Sequence, residues 1–219
     1  MADGARFPAA APGHTMGVLT PRTSTRGRLL VATPPLGDPN FDRTVVYMLE
    51  HGDIGAVGVI VNRLADLADL VDLDDRAPDV GDAWERAALS DWRPLLSEPA
   101  VVFLGGPVAT DSLIAIARGI GRNDEAWGTV TDSLGTVDLS LAPDEAAEQI
   151  DRVRIFRGYA GWSVGQLDAE IEAGAWMVFE CIDDDLFTST PDDLWRAVVR
   201  RQGGRLAWIA DAPDDLSAN

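Results

Sequence analysis

Acid–base chemistry at a histidine is the first activity that the residue types in this chain suggest. His51 follows an apolar run, and Asp38, Asn40 and Arg43 lie in the polar loop before that run. If the two strand ends met, a carboxylate and a guanidinium group would flank the imidazole, as general acid–base catalysis requires. The loop residues fit a turn equally well, because Asp and Asn side chains bond their own backbone and proline fixes φ. A histidine followed by glycine is likewise typical of a hydrogen-bonded turn.

Two glycine-rich runs are further candidates for binding a ligand. In the first, Gly105 and Gly106 would expose backbone N–H groups to an anion or let a ligand approach closely. Their spacing matches neither a P-loop nor a dinucleotide fingerprint, and a tight exit from a strand also explains them.

The second run, residues 158–166, presents Tyr159 and Trp162 beside the predicted start of a helix, and helix N-termini attract anions. Ser163 has no glycine two residues before it, so the run is not the nucleophile elbow of a hydrolase. The alternative is close packing through the glycines, with Trp162 anchoring the helix on a sheet. Gln166 and Asn62 complete the candidate surface for a ligand or partner.

Missing residue types limit the chemistry further. All 18 basic residues are arginine, so the chain offers no Schiff-base or P-loop lysine. His14 and His51 are the two histidines, and a two-histidine zinc site would need the N-terminal tail. We therefore expect no metal and no cofactor. Cys181 is interpreted as a buried small hydrophobe, with a redox role as an alternative.

A formal net charge of −18 makes nonspecific binding to nucleic acid or to an anionic membrane unfavourable. We expect neither as a direct partner. Five arginines form local groups that could make a small positive face, and we interpret them mainly as solvated edges: Arg152, Arg154, Arg157, Arg200 and Arg201.

Composition predicts one folded domain after an N-terminal extension. Residues 1–25 are rich in Ala, Pro, Gly and Thr and lack an apolar core segment, which is typical of disorder rather than of a signal peptide. Residues 26–219 have enough hydrophobic side chains for a core. No run approaches the roughly 20 apolar residues of a spanning helix, so a cytoplasmic protein is predicted.

Apolar runs bounded by turn residues predict strands. These runs are residues 28–33, 44–49, 56–62, 100–104, 113–117, 153–159, 175–181 and 206–210. The turn at residues 52–55 makes the first three a meander. Helical patterns cover residues 84–92 and 144–150, a segment from the Ser163–Gln166 capping box to Gly174, and a segment from Thr190 to Gly203. Strands in hairpins together with strands flanking helices indicate an α+β fold.

Three segments also carry a family resemblance: GRLLVATPPLGDPNFDRTVVYMLEHGDIGAVGVIVNR at residues 27–63, FLGGPV at 103–108 and GYAGWSVGQLDAEI at 158–171. They resemble the bacterial AlgH/YqgE family. The resemblance covers roughly residues 27–219, apart from residues 64–97. It implies a mixed, mostly antiparallel, partly barrel-like sheet flanked by helices. Family members have been named as transcriptional regulators, and the charge of this chain favours an indirect route for such regulation.

Two function hypotheses follow. A non-catalytic binding or accessory protein, with another protein as its partner, predicts exposed apolar surface near residues 159–166 or 40–51. A small-molecule hydrolase would use His51 as general base, with an Asp or Ser nearby.

Overall fold

The computed structural model describes residues 23–34, 41–65, 91–119, 127–140 and 150–210. Its strands are β1 (Arg28–Ala32), β2 (Val45–Gly52), β3 (Gly55–Ile60), β4 (Phe103–Leu104), β5 (Val108–Gly119), β6 (Trp127–Thr129), β7 (Leu134–Val137), β8 (Ile150–Trp162) and β9 (Trp176–Glu180). Its α-helices are α1 (Gln166–Glu172), α2 (Asp183–Leu186), α3 (Leu194–Arg201) and α4 (Gly204–Ala210). Two 3-10 helices span Arg93–Leu95 and Pro191–Asp193. The class is α+β, and strands dominate it.

The strands form one mostly antiparallel sheet in the order β6-β7-β5-β8-β3-β2-β1-β9. Strand β4 lies outside this order and pairs with β8 in parallel. The predicted meander of β1, β2 and β3 is confirmed by its antiparallel registers. The sheet curls into a half-barrel. Ser133 Oγ, next to β7, donates to Asp183 Oδ1 after β9 at 3.1 Å, so opposite ends of the strand order approach each other.

Helices cover the two faces of this sheet. On one face, Leu29, Tyr47 and Phe156 pack with α2, α3 and α4 through residues such as Trp195. On the other face, Trp162 and other side chains pack against α1. A third core cluster lies around Trp92, beside the first 3-10 helix.

Several predicted elements need correction. Residues 206–210 are the end of α4 and not a strand: Leu206, Ile209 and Ala210 face the core at helical spacing, whereas Trp208 is exposed. Helix α1 begins at Gln166, three residues after the predicted start. Ile150 belongs to β8, and β6 is a short strand that none of the predicted apolar runs covers. The predicted helices at 84–92 and 144–150 otherwise fall almost entirely outside the described residues.

Arg154 is a further correction, since it is 1% exposed and not solvated. Its guanidinium donates to the carbonyl oxygens of Glu98 and Thr188 and lies 4.3 Å from the centre of the Phe103 ring. Burial lowers the pKa of Arg154 to about 10. The side chain therefore ties two loops to the core.

Residues before β1 also belong to the packed structure, since Thr25 is buried. The predicted extension thus reaches into the fold at its last residues. Among the described residues, none of the helices has the length and apolar character needed to cross a membrane.

Candidate functional site

The predicted grouping of Arg43 with His51 is not assembled by the fold. Arg43 precedes β2 and His51 lies near its other end, so strand rise separates them by about 25 Å. Asp38 and Asn40 lie outside the described residues.

Arg43 is joined instead to Asn62 at the end of β3. Asn62 Nδ2 donates to the Arg43 carbonyl at 3.0 Å, and Asn62 Oδ1 accepts from the Val45 N–H at 2.8 Å. The Arg43 guanidinium lies 5.4 Å from the centre of the Trp195 ring. Arg43 has a φ of 49°, which the amide brace holds in place. These two candidate residues shape the entry into β2.

His51 makes contacts with two separate parts of the chain. Its Nδ1 accepts from the Thr25 backbone N–H at 3.2 Å and lies 3.0 Å from Thr25 Oγ1. Because that nitrogen accepts, the neutral ring carries its hydrogen on Nε2. Nε2 faces Asp168 Oδ2 on α1 at 3.7 Å. His51 thus connects the segment before β1 with helix α1.

The order hydroxyl, imidazole, carboxylate is also that of a hydrolytic triad. Sequence reasoning missed Thr25 and Asp168, because nothing in their spacing predicts that either would meet His51. The Thr25 residue is 4% exposed and the His51 side chain 8%, so a substrate carbonyl has little access to the hydroxyl. Among the described residues, no three His, Cys, Asp or Glu side chains group as metal ligands.

A row across three strands places His51 and Trp162 under the same helix. His51 pairs with Ala56, and Ala56 pairs with Trp162. Directly paired residues project to one face of a sheet, and α1 covers that face. Glu170 on α1 accepts from the Trp162 and Trp176 indole N–H groups at 2.9 and 2.8 Å. Helix α1 is therefore held at both ends of the row.

The aromatic rings under α1 form a closed cluster. The ring centroids of Trp162 and Trp176 are 5.9 Å apart, and Phe41 lies 6.3 and 5.4 Å from them. At these separations the rings contact one another, which leaves no space for a ligand between them. Tyr159 packs on the opposite face of β8, since it stands three positions from Trp162 on a strand.

The start of α1 retains half of the predicted capping box. Gln166 Oε1 accepts from the Ser163 N–H at 3.1 Å, as the box requires. Gly165, at a φ of 71°, is the residue that precedes the helix, and the Ser163 hydroxyl donates to Gln166 Oε1 instead of accepting from a helix N–H. The left-handed glycine delays the helix by three residues.

The two glycine runs meet each other at a chain crossing. Phe156 on β8 pairs with β4 on one edge and with β5 on the other. Residues 105–107 connect β4 to β5, so the chain must cross the face of β8 within them. A Cβ on Gly106 would overlap the Tyr159 backbone, and one on Gly105 would overlap the Gly158 carbonyl. The two backbones approach so closely that no side chain would fit at these glycines.

Exposed apolar side chains lie beside helix α1. Ile54, at the β2–β3 turn, is 90% exposed, and Val164, before α1, is 69% exposed. A Cβ on Gly55 would lie 2.5 Å from the Trp162 carbonyl oxygen, so the two turns are adjacent. We call Ile54 and Val164 the hairpin-tip surface.

The comparisons with known proteins decide the family. A family model described as AlgH-like matches residues 29–207. The chain belongs to the AlgH-like family.

Other AlgH-like proteins share most of its length. A UPF0301 protein of Streptomyces coelicolor is 44% identical over 93% of this chain and 100% of the relative. One of Rhodococcus erythropolis is 37% identical over 88% and 90%. These names state no activity, substrate or partner.

Solved structures support the fold. A crystal structure of a Corynebacterium diphtheriae protein has a TM-score of 0.72 at 24% identity and covers 88% of this chain and 94% of that one. The solution structure of the AlgH protein from Pseudomonas aeruginosa has a TM-score of 0.60 at 26% identity, covering 90% and 98%.

Proposed function

We propose that this AlgH-like protein is a non-catalytic binding protein of the cytoplasm that docks a partner protein through the hairpin-tip surface. The observation that carries the proposal is the exposure of Ile54 and Val164 on two adjacent turns. Large apolar side chains placed together at a surface favour association, because docking removes them from water.

The polar residues around this surface support the same conclusion. His51, Trp162 and Gln166 direct their polar groups to Thr25, Asp168, Glu170 and Ser163, which builds a rigid base under the two turns. A preorganised surface loses little conformational entropy on binding. Regulation of transcription through such a surface would be indirect, since a net charge of −18 disfavours DNA contact.

Charge substitution at the surface tests the proposal. Ile54→Asp combined with Val164→Asp should abolish capture of a specific protein that the unmodified chain enriches from its host lysate. The interaction is then measured with purified components, and a loss of at least about tenfold in affinity is expected. Ile182→Asp is the matched control, because Ile182 is also exposed but follows β9.

Equal binding by the double variant and the control, with both folded, would disprove the proposed surface. A lysate that yields no partner dependent on Ile54 and Val164 would do the same.

The hydrolase hypothesis is a second candidate because His51 contacts both a hydroxyl and a carboxylate. In that mechanism Nδ1 would take the Thr25 proton while Asp168 stabilised the imidazolium. The burial of Thr25 favours the binding role instead.

Steady-state hydrolysis of p-nitrophenyl acetate distinguishes the two candidates. A hydrolase requires that Thr25→Val and His51→Asn each lower turnover by on the order of a hundredfold or more. Turnover that is indistinguishable from the buffer blank and unaffected by either change would eliminate this candidate for ester substrates.

A further inference from the structure

The helix pair α3 and α4 is basic, in contrast to the acidic chain as a whole. Residues 194–210 contain four arginines, at positions 196, 200, 201 and 205, and no Asp or Glu, in a chain of net charge −18. These residues form α3 and α4, which pack against each other. The pair is therefore basic in composition, although Arg201 forms an ion pair with Asp185 of α2.

Within this pair, α4 directs two side chains outward. Leu206, Ile209 and Ala210 pack onto the core, whereas Trp208 is 79% exposed. Arg205 is also exposed and stands three residues before Trp208, so the two side chains are neighbours on one helix face. We call them the arginine–tryptophan face.

We propose that the arginine–tryptophan face docks a short acidic segment of a partner protein. An apolar side chain of that segment would cover the Trp208 indole, and its carboxylates would pair with the guanidinium of Arg205. Tryptophan and arginine are the residue types that contribute most at protein interfaces, where Trp supplies buried area and Arg bidentate hydrogen bonds. This surface lies on α4, whereas the hairpin tip lies at the β2–β3 turn and before α1, so the proposal does not depend on whether the hairpin tip binds a partner.

The length of the face favours a peptide over a nucleic acid. Helices of eight and seven residues extend about 12 and 10 Å, which spans roughly three phosphates of a single strand. A longer polyanion would run onto the acidic remainder of the molecule, where its charges are repelled. A short acidic segment can end within the positive surface.

Selection from a phage-displayed library of random short peptides on the full chain tests the proposal. The enriched peptides should combine Asp or Glu with a large apolar residue. Synthetic copies should bind less tightly to Trp208→Ala and Arg205→Glu, by about tenfold each, in fluorescence anisotropy. Arg93→Glu is the matched control, because it changes the net charge equally at an exposed arginine next to a different core cluster.

Four results would overturn the proposal. The first is enrichment of basic or uncharged peptides. The second is equal weakening by Arg205→Glu and Arg93→Glu, which would indicate a general charge effect. Tighter, Trp208-dependent binding of an oligothymidylate would assign the face to nucleic acid. Self-association in sedimentation that is lost in Trp208→Ala would assign it to a second copy.

Discussion

His51 acts as a structural junction between the segment before β1, the end of β2 and helix α1. Its Nδ1 accepts from the backbone N–H of Thr25, a buried residue. We expect His51→Ala to lower the free energy of unfolding by about 1–2 kcal/mol, because a buried donor is left unsatisfied. Urea denaturation at neutral pH measures the change.

His51→Asn provides the matched control for this prediction. The amide oxygen of asparagine is attached to Cγ, as Nδ1 is in histidine, and can accept the same N–H. The Asn variant should therefore recover much of the lost stability. Equal destabilisation by Ala and Asn would show that the Thr25 hydrogen bond contributes little.

Cys181, which was predicted to be buried, is partly buried beside the core, and it tests how far desolvation controls reactivity at a single residue. Desolvation raises the pKa of the Cys181 thiol, and the nearby Asp185 and Asp183 carboxylates raise it further. Little thiolate exists near neutral pH, so alkylation by iodoacetamide in the native state should be on the order of a hundredfold slower than in urea. Mass spectrometry of timed samples gives both rates, and comparable rates would revive a redox role.

The residues of the site were partly accessible to sequence reasoning. Trp162 and the helix start at Ser163 and Gln166 are local features, so their sequence pattern places them near α1. The partners of His51 are not, because Thr25 is 26 positions away in the chain and Asp168 lies on another element. The β1–β2 pairing brings Thr25 to His51, and the registers of β2, β3 and β8 bring α1 with Asp168 to it. The grouping of Arg43 with His51 failed because the strand between them is extended.

Among the elements, the crossing of β8 by residues 105–107 depends on backbone alone. Gly106→Ala should lower the free energy of unfolding by more than about 3 kcal/mol, because its Cβ would overlap the Tyr159 backbone, which cannot move aside. Thermal denaturation followed by circular dichroism measures the loss. We expect poor recovery of folded protein for this variant.

Gly165→Ala is the control that distinguishes steric overlap at the crossing from the backbone strain of a residue with positive φ. Gly165 also has a positive φ, of 71°, but nothing lies within 4 Å of an added Cβ. Only the backbone conformation is then unfavourable, by about 1–2 kcal/mol. If Gly106→Ala were no worse than Gly165→Ala, the crossing would not be the reason for the glycines at residues 105–106.

Elements with a local pattern were predicted well and those defined by distant contacts were not. The meander of β1 to β3 follows from β-branched runs and a glycine turn. Strand β4 was predicted as residues 100–104 but spans Phe103–Leu104, because only these two residues pair with β8. Residues 206–210 form a helix because they pack against α3, a contact that no short window contains.

At the scale of the molecule, three successive aspartates of α2 link distant strands. Asp183 accepts from Ser133, Asp184 pairs with Arg118 and Arg152, and Asp185 accepts from Arg201. These contacts join α2 to β5, β8, α3 and the residue before β7. The acidic run therefore stabilises the curl of the sheet, although each exposed pair contributes only about 0–1 kcal/mol.

Acid should remove part of this network. Arg118 bonds to Asp151 and lowers the pKa of that carboxyl. A lowered pKa in the folded state stabilises the fold above the ordinary value of about 3.9, and the effect disappears as the pH falls through the lowered value. Arg118→Met should therefore be less stable than the parent at pH ~7, by at most about 1 kcal/mol, and equally stable near pH ~2.

Urea titrations at several pH values test this expectation, with Arg93→Met as the control. A difference between Arg118→Met and its parent that persisted unchanged into acid would show that Arg118 acts by packing rather than by charge.

The net charge of −18 sets the response of the whole molecule to salt. Raising NaCl from about 0.02 to 0.5 M shortens the screening length from roughly 20 Å to 4 Å, which weakens both repulsion and ion pairing. Exposed ion pairs are individually weak, whereas the excess of carboxylates repels across the entire surface. We therefore expect the melting temperature to rise by at least about 2 °C. The triple variant Asp53→Asn, Asp111→Asn and Asp192→Asn removes three of the excess negative charges and should show a smaller rise in melting temperature. A melting temperature that fell with salt would mean that the ion pairs outweigh the repulsion.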